Sequence, residues 1–439
     1  MKPAKPVWLV AIAFSVSWLT TIVGIRLIWG EVLKPLNPLI WVIDFLVPLG
    51  LVLGFTIFTG SKTKRFRLLA LLPALMFLLA LVNIFALRSR FMNYGDMGSL
   101  SGFISHHNIF TRWILGVGLL EFLANKVIGP LFGDLNELLF VKVMSTLVMF
   151  VCSFIVLLRN PEKLRLIFVV TSPMWLLFST GYDEYYPFIA PVFLLIMLLI
   201  TDDWMNKLNP IWFGIVAGAV ALSYVSFIPL VLFLMLVFAF RRGFKSGLLA
   251  TGILLLTVFL AILLFYGPRL GGFLSAYRGN LNLSNGSLLQ DKTFLNTPFY
   301  NFRFAFSKEN LQRLFTQFFW SGSIPYFVIL VVCLVFFFKR FIRVTRIKTL
   351  VFLGCVILYQ VVYFFFMIPY LDTITDIDLF FSVYFSFAFS SGWMIDQLTK
   401  KQESVDQNKT RLSVLAFCVG STSVILVYLM VLGLYQLQL

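Results

Sequence analysis

SIPYFVILVVCLVFFFKRFIRVTRIKTLVFLGCVILYQVVYFFFMI, residues 323–368, decides the fold. Two apolar runs, 323–338 and 349–368, flank a loop that carries Lys339, Arg340, Arg343, Arg346 and Lys348. Each run approaches the ~20 apolar residues that a helix needs to cross a bilayer. Clustered Lys and Arg between two such runs mark a loop held on the cytoplasmic side.

Outward from this pair the alternation continues along the whole chain. Apolar runs at 8–28, 38–58, 68–87, 138–158, 166–181, 187–201, 211–224, 226–240, 247–266, 379–397 and 412–437 join the first two, giving about thirteen predicted spans. Basic residues recur on every second loop: Lys62, Lys64, Arg65 and Arg67; Arg159, Lys163 and Arg165; Arg241, Arg242 and Lys245; Lys400, Lys401, Lys409 and Arg411. With Lys2 and Lys5 ahead of the first run, the N-terminus is expected in the cytoplasm and the first span as a retained signal anchor.

Composition agrees. The 439 residues are 60% hydrophobic and 12% charged, which rules out an ordinary soluble surface. The net charge of +16 is spread over short loops beside apolar runs, so it orients the chain and does not form a nucleic-acid face. Cys152, Cys333, Cys355 and Cys418 each sit inside an apolar run with no C-x-x-C spacing and are expected as packing residues. The predicted architecture is all-α, a polytopic helix bundle with interfacial helices in its external loops. Its parts are an N-terminal helix pair over 1–67, a core over 68–266 with a first external loop at 88–137, a long external loop over 267–322, and C-terminal spans over 323–439.

Two external segments read as surface helices. Trp113 to Ile128 is short for a span and carries Glu121 and Asn125 four apart, an amphipathic pattern suited to lying in the leaflet. In the long loop, Leu311, Leu314, Phe315, Phe318 and Phe319 follow helical spacing behind Ser307 as N-cap and Glu309 in the first turn.

Acidic residues gather on the external side: Asp96 between Gly95 and Gly98, Asp183 and Glu184 in Gly181 to Pro187, and Asp372, Asp376 and Asp378 before a late span. A carboxylate at a lipid–water boundary suits general-base chemistry, because partial desolvation raises its pKa. Two such sites could also share a divalent cation through oxygen ligands. External loops need polar residues in any case. Asp183 and Glu184 read equally as an ordinary hairpin tip, with Tyr182, Tyr185 and Tyr186 as interfacial belt aromatics.

Asp44, inside the second run, is either functional or paired. His106 and His107 are adjacent and so point apart on a helix. They suit polar contacts or acceptor binding better than zinc. Arg269, Arg278, Arg303, Lys308 and Arg313 make the long external loop basic, against the charge rule. A phosphate headgroup is one reason for them, and solvation or lipid contact another. No P-loop, dinucleotide fingerprint, G-x-S-x-G or H-E-x-x-H motif is present in the sequence.

Residues 88–100 (RSRFMNYGDMGSL), 178–187 (FSTGYDEYYP) and the amphipathic stretch 307–319 together resemble the GT-C superfamily of integral-membrane glycosyltransferases, and the likeness covers most of the chain. The resemblance implies a GT-C-like bundle. It also implies inverting transfer of a sugar from a polyprenyl-phosphate donor to a glycan, lipid or protein acceptor on the external face. By the same resemblance Asp96 is the catalytic base, and Asp183 and Glu184 form a second acidic motif that contacts substrate or a divalent cation such as Mg or Mn. Arg88, Arg90, Arg269, Arg278 and Arg303 become donor-phosphate candidates, and His106, His107 and Tyr182 acceptor or cavity candidates. The acidic loop follows the third predicted span where relatives place it after the first, which implies two added N-terminal helices. Two readings from other classes stand beside it: a transporter or flippase of lipid-linked or anionic solutes, in which Asp44 would line a pathway, and a non-catalytic membrane assembly subunit.

Overall fold

The structure, a computed structural model, describes residues 7–29, 38–58, six positions between 73 and 81, 114–128 and 130, 137–159, 163–179, 185–202, 204–224, 227–267, 270–271, 306–344, 347–366, 380–399 and 404–436. Every regular element among them is helical. In chain order these are α1 (Val7–Trp29), α2 (Pro38–Phe58), α3 (Ile114–Phe122, continued by a π-helical turn, Leu123–Ile128), α4 (Glu137–Arg159), α5 (Leu164–Val170), α6 (Pro173–Phe178), α7 (Tyr186–Thr201), α8 (Trp204–Lys207), α9 (Pro210–Ser223), α10 (Ile228–Arg242), α11 (Phe244–Tyr266), α12 (Lys308–Trp320), α13 (Ile324–Val344), α14 (Ile347–Phe366), α15 (Phe381–Thr399) and α16 (Ser404–Gln436).

By length and composition, four segments among the described residues can each cross a bilayer: Trp8–Ile25, Leu139–Leu158, Phe244–Tyr266 and Thr410–Val427. The bent pair Lys308–Trp320 and Ile324–Phe336 makes up to five, and four further apolar helices are shorter. Lipid is the environment that fits their outer faces. On α11, Leu255, Phe259 and Leu264 are 62%, 60% and 77% exposed, an apolar surface that water would penalise and acyl chains accept.

Packing centres on α15, which is buried along its full length and contacts α5, α7, α13 and α14. Phe381, Phe385, Phe389 and Trp393 lie along this helix and join the main core. A smaller cluster, Val10, Phe14, Val52, Leu412 and Ala416, binds α1 and α2 to α16. Because lipid is as apolar as leucine, helices in a membrane associate through close backbone approach and polar contacts. Gly214 and Gly218 on α9 supply such an approach. A Cβ at Gly214 would lie 2.5 Å from the Ala250 carbonyl oxygen, and one at Gly218 2.9 Å from Thr257 Cβ.

Three sequence expectations require correction or refinement. The predicted span 166–181 is two short buried helices, α5 and α6, divided at Thr171–Ser172. Pro173 opens α6 and disfavours helix in the residue before it, while the Thr171 and Ser172 hydroxyls donate to the Ile167 and Val169 carbonyls. A break at this depth is tolerated because protein, not lipid, surrounds it.

The second concerns α12. The Ser307 cap forms as expected, with its side-chain oxygen accepting from the Asn310 N–H at 3.1 Å. The predicted apolar stripe, however, does not turn inward as a unit: Phe319 is buried and Leu314 and Phe318 pack against the core, but Leu311 and Phe315 are half exposed, and the polar Asn310, Arg313 and Gln317 are buried. The helix thus buries a polar row together with part of its apolar stripe and leaves Leu311 and Phe315 on its outer surface. Its axis bends by 96° into α13. The third is minor: Cys333 and Cys418 are buried as expected, but Cys355 is exposed on the apolar face of α14.

The stretch read as an interfacial helix, α3, packs against α9 and α11, and a Cβ at Gly118 would meet the Phe265 ring at 2.6 Å, near the last turn of α11. Asn125, Lys126 and Val127 remain exposed.

Candidate functional site

The bundle has two chemically different ends. At one, Arg165 donates to Asp202 at 2.6 Å and Lys163 pairs with the same carboxylate at 3.3 Å. Asp396 accepts the Leu164 and Arg165 backbone N–H groups at 3.2 and 3.4 Å and pairs with Arg411. Arg242 donates to the Asn206 carbonyl at 2.8 Å. The start of α5, the ends of α7 and α15 and the start of α16 therefore meet, the same segments that the charge alternation assigns to one side. This end is knit together by its own ions.

At the opposite end the groups are aromatic hydroxyls. Tyr185, the residue before α7, donates to the Tyr186 hydroxyl at 3.2 Å, and their rings lie 4.4 Å apart. Tyr224, just after α9, lies 6.1 and 6.3 Å from those two rings. From α14, the Tyr363 hydroxyl is hydrogen-bonded to that of Tyr224 and is in electrostatic range of Tyr185 and Tyr359. Beside them, Ser382 donates to the Gln360 side-chain oxygen at 2.7 Å. Phe178, Phe227 and Phe381 pack around Tyr186 and Tyr224.

A continuous aromatic path leads from the phenols to a buried guanidinium. Tyr363 contacts Phe380 at 5.8 Å, Phe380 contacts Phe364 at 5.0 Å, and the Arg313 guanidinium lies 5.3 and 5.7 Å from these two rings. Arg313 donates to Asn310 at 2.7 Å, to Gln317 at 3.3 Å and to the Phe364 carbonyl at 2.9 Å. Asn310 adds a bond to the Phe365 carbonyl at 3.0 Å. Helix ends leave carbonyls unsatisfied, and here α12 satisfies those of α14. Arg313 thus fastens one helix to another, which corrects its reading as a headgroup-facing cation; Lys308 is exposed at the rim.

Burial also decides between the two readings of Tyr185 and Tyr186. At 6% and 5% exposure they face the interior and are not belt aromatics turned to lipid. Asp44 proves to be paired: it accepts the Trp18 indole N–H at 2.8 Å and is also hydrogen-bonded with Ser423. A small cavity between α4 and α6, bordered by Thr146, Ser153, Trp175 and Ser179, has room for no more than a water molecule.

Asp96, Asp183, Glu184, Arg88, Arg90, Arg269, Arg278, Arg303, His106, His107 and Tyr182 lie outside the described residues, as do Asp372, Asp376 and Asp378. Asp183 and Glu184 immediately precede Tyr185 in the chain. Sequence reasoning missed Tyr224, Tyr359, Gln360 and Tyr363. The i, i+4 pair Tyr359 and Tyr363 in an apolar run was the available signal.

Such an arrangement of hydroxyls and ring faces suits a neutral, hydroxyl-rich group. No protein-family model, curated protein or solved structure matches this chain.

Proposed function

We propose that the chain is a GT-C type glycosyltransferase of about thirteen spans, multi-pass in the cell membrane with a cytoplasmic N-terminus. In this reading it moves a sugar, with inversion, from a polyprenyl-phosphate donor to an acceptor on the external face. Asp96 deprotonates the acceptor hydroxyl, Asp183 and Glu184 orient substrate or a divalent cation, and the external arginines take the donor phosphate.

The observation that carries the reading is the phenol cluster at the root of the Asp183–Glu184 segment. Hydroxyls and ring faces next in sequence to a pair of carboxylates are the chemistry that a glycosyl donor needs. The opposite end, closed by Arg165, Asp202, Asp396 and Arg411, agrees with chemistry confined to one side.

The test is donor turnover in proteoliposomes, with glycosylated polyprenyl phosphates as donor and a membrane-glycan extract as acceptor. Asp96→Asn is expected to reduce sugar transfer by roughly 10²-fold or more while inserting normally. Full transfer by that variant removes Asp96 as the base.

One observation favours the transporter reading: two chain interruptions meet in the core. The turn between α12 and α13 seats Gly322 (φ 68°) so closely on Pro173, the first residue after the α5 break, that a Cβ there would overlap its ring. Paired broken helices are a feature of transport sites. Movement of a fluorescent glycosylated lipid across the bilayer, without sugar transfer, would establish that function instead.

A further inference from the structure

Five phenol groups carried by three separate helices or their ends converge at the aromatic end of the bundle. The surrounding positions are filled by phenylalanine: Phe178, Phe193, Phe227, Phe381 and Phe385 form contacts around the same cluster. Phenylalanine fills the same shape without requiring that a hydroxyl be desolvated and partnered. The hydroxyls are also arranged edge to edge: Tyr185 to Tyr186 at 3.2 Å, and Tyr363 to Tyr224.

We propose that the hydroxyl edges of Tyr185, Tyr186, Tyr224, Tyr359 and Tyr363 form the floor of a carbohydrate subsite that hydrogen-bonds the ring hydroxyls of the transferred sugar. The proposal rests on the glycosyltransferase reading above and names the part of the chain that selects the sugar. Each phenol both donates and accepts, as each sugar hydroxyl does, so one can replace the other in a shared network. Ring faces beside them suit the apolar C–H face of a pyranose or furanose. Phenols are neutral at pH 7, which matches an uncharged polyol and leaves the donor phosphate to arginine. A quaternary ammonium would instead need the ring faces themselves turned inward around a cation.

A site built on hydrogen bonds to substrate hydroxyls discriminates strongly against ligands that lack them. The test uses the full chain in nanodiscs and measures equilibrium binding of undecaprenyl phosphate, bare or carrying glucose, mannose or arabinose. At least one glycosylated probe is expected to bind about tenfold more tightly than the bare lipid. Tyr224→Phe and Tyr363→Phe are each expected to cut that preference below about threefold, with bare-lipid affinity unchanged in folded protein; each also lowers Tm, because the shared hydroxyl contact is lost.

A preference retained by both variants overturns the subsite, as does a wild type that prefers no sugar. Selective binding without turnover would remove the transferase reading and leave the subsite standing. Turnover with an unaltered preference in the variants would do the reverse. Binding of neither lipid, with methyl glycosides silent in tyrosine ultraviolet difference spectra, would overturn both.

Discussion

Asp396, near the end of α15, pairs with Arg411 in the first turns of α16, and its carboxylate also accepts the backbone N–H groups that open α5. One buried carboxylate therefore ties three helix ends together. The glycine one turn earlier, Gly392, makes this possible: a Cβ there would sit 2.5 Å from Arg165 Cα. Removing one member of a buried pair leaves the other charge without compensation, at a cost of about 3–5 kcal/mol. Asp396→Ala is expected to lower Tm in detergent markedly, while Asp396→Asn, which still accepts the α5 N–H groups, should lower it less. An Ala variant as stable as wild type would show that this junction does not hold the bundle together.

Arg313 has a different task. Its bonds to Asn310, Gln317 and the Phe364 carbonyl, with its stacking on Phe364 and Phe380, dock α12 on the end of α14. Hydrogen bonds to a charged donor contribute about 1.5–3 kcal/mol. Lysine cannot reproduce a planar fork, so Arg313→Lys should resemble Arg313→Ala, each losing stability in that range. Thermal unfolding checks the magnitude, and faster hydrogen exchange confined to α12 checks the location.

Glu309 supplies a pH dependence at the rim of the same helix. Its carboxyl is held below the usual value of 4.5 by a bond from its own backbone N–H, then by the Ser307 hydroxyl and by the nearby Lys308 ammonium. A depressed folded-state pKa means that the charged form contributes stability above the unfolded value and loses it as pH falls through the folded one. The first turn of α12 should accordingly loosen in acid below about 4.5 and stay constant from neutrality down to that point. Amide exchange at Asn310 and Leu311 measured against pH reports it. Glu309→Gln is expected to flatten the profile.

Much of this fold is written locally. Apolar length, basic loops and the Ser307 cap each rest on neighbouring residues, and the helices start and stop close to where those signals put them. The burial pattern of α12 is not local in that sense. A stripe of Leu311, Leu314, Phe315, Phe318 and Phe319 reveals a helix with two faces, but which of these side chains turn inward depends on the helices that α12 packs against. The interruption at Thr171 and Ser172 was within reach, since Pro173 disfavours helix in the residue before it; a long apolar run masked it. Spacing offered only the Tyr359–Tyr363 pair of the phenol cluster, because Tyr185 and Tyr224 reach it from other helices that meet α14 only through tertiary packing.

Asp44 separates the two functional readings by experiment. An ionisable group in an apolar helix is by default a pathway residue or a paired one, and here Trp18 of α1 donates to it, with Phe45 and Trp41 packed against the Trp18 ring. The pair sits where α1, α2 and α16 meet, beside the smaller core cluster. If its role is to join these helices, Asp44→Asn keeps an acceptor for the indole and should retain both stability and activity. Trp18→Phe removes the donor from a buried carboxylate and should lower stability by about 1–3 kcal/mol. A solute pathway through Asp44 makes the opposite demand: the Asn variant, which cannot carry charge, would lose flux at unchanged stability. Measuring Tm together with sugar transfer and lipid translocation for these two variants decides between a structural clasp and a conduction site.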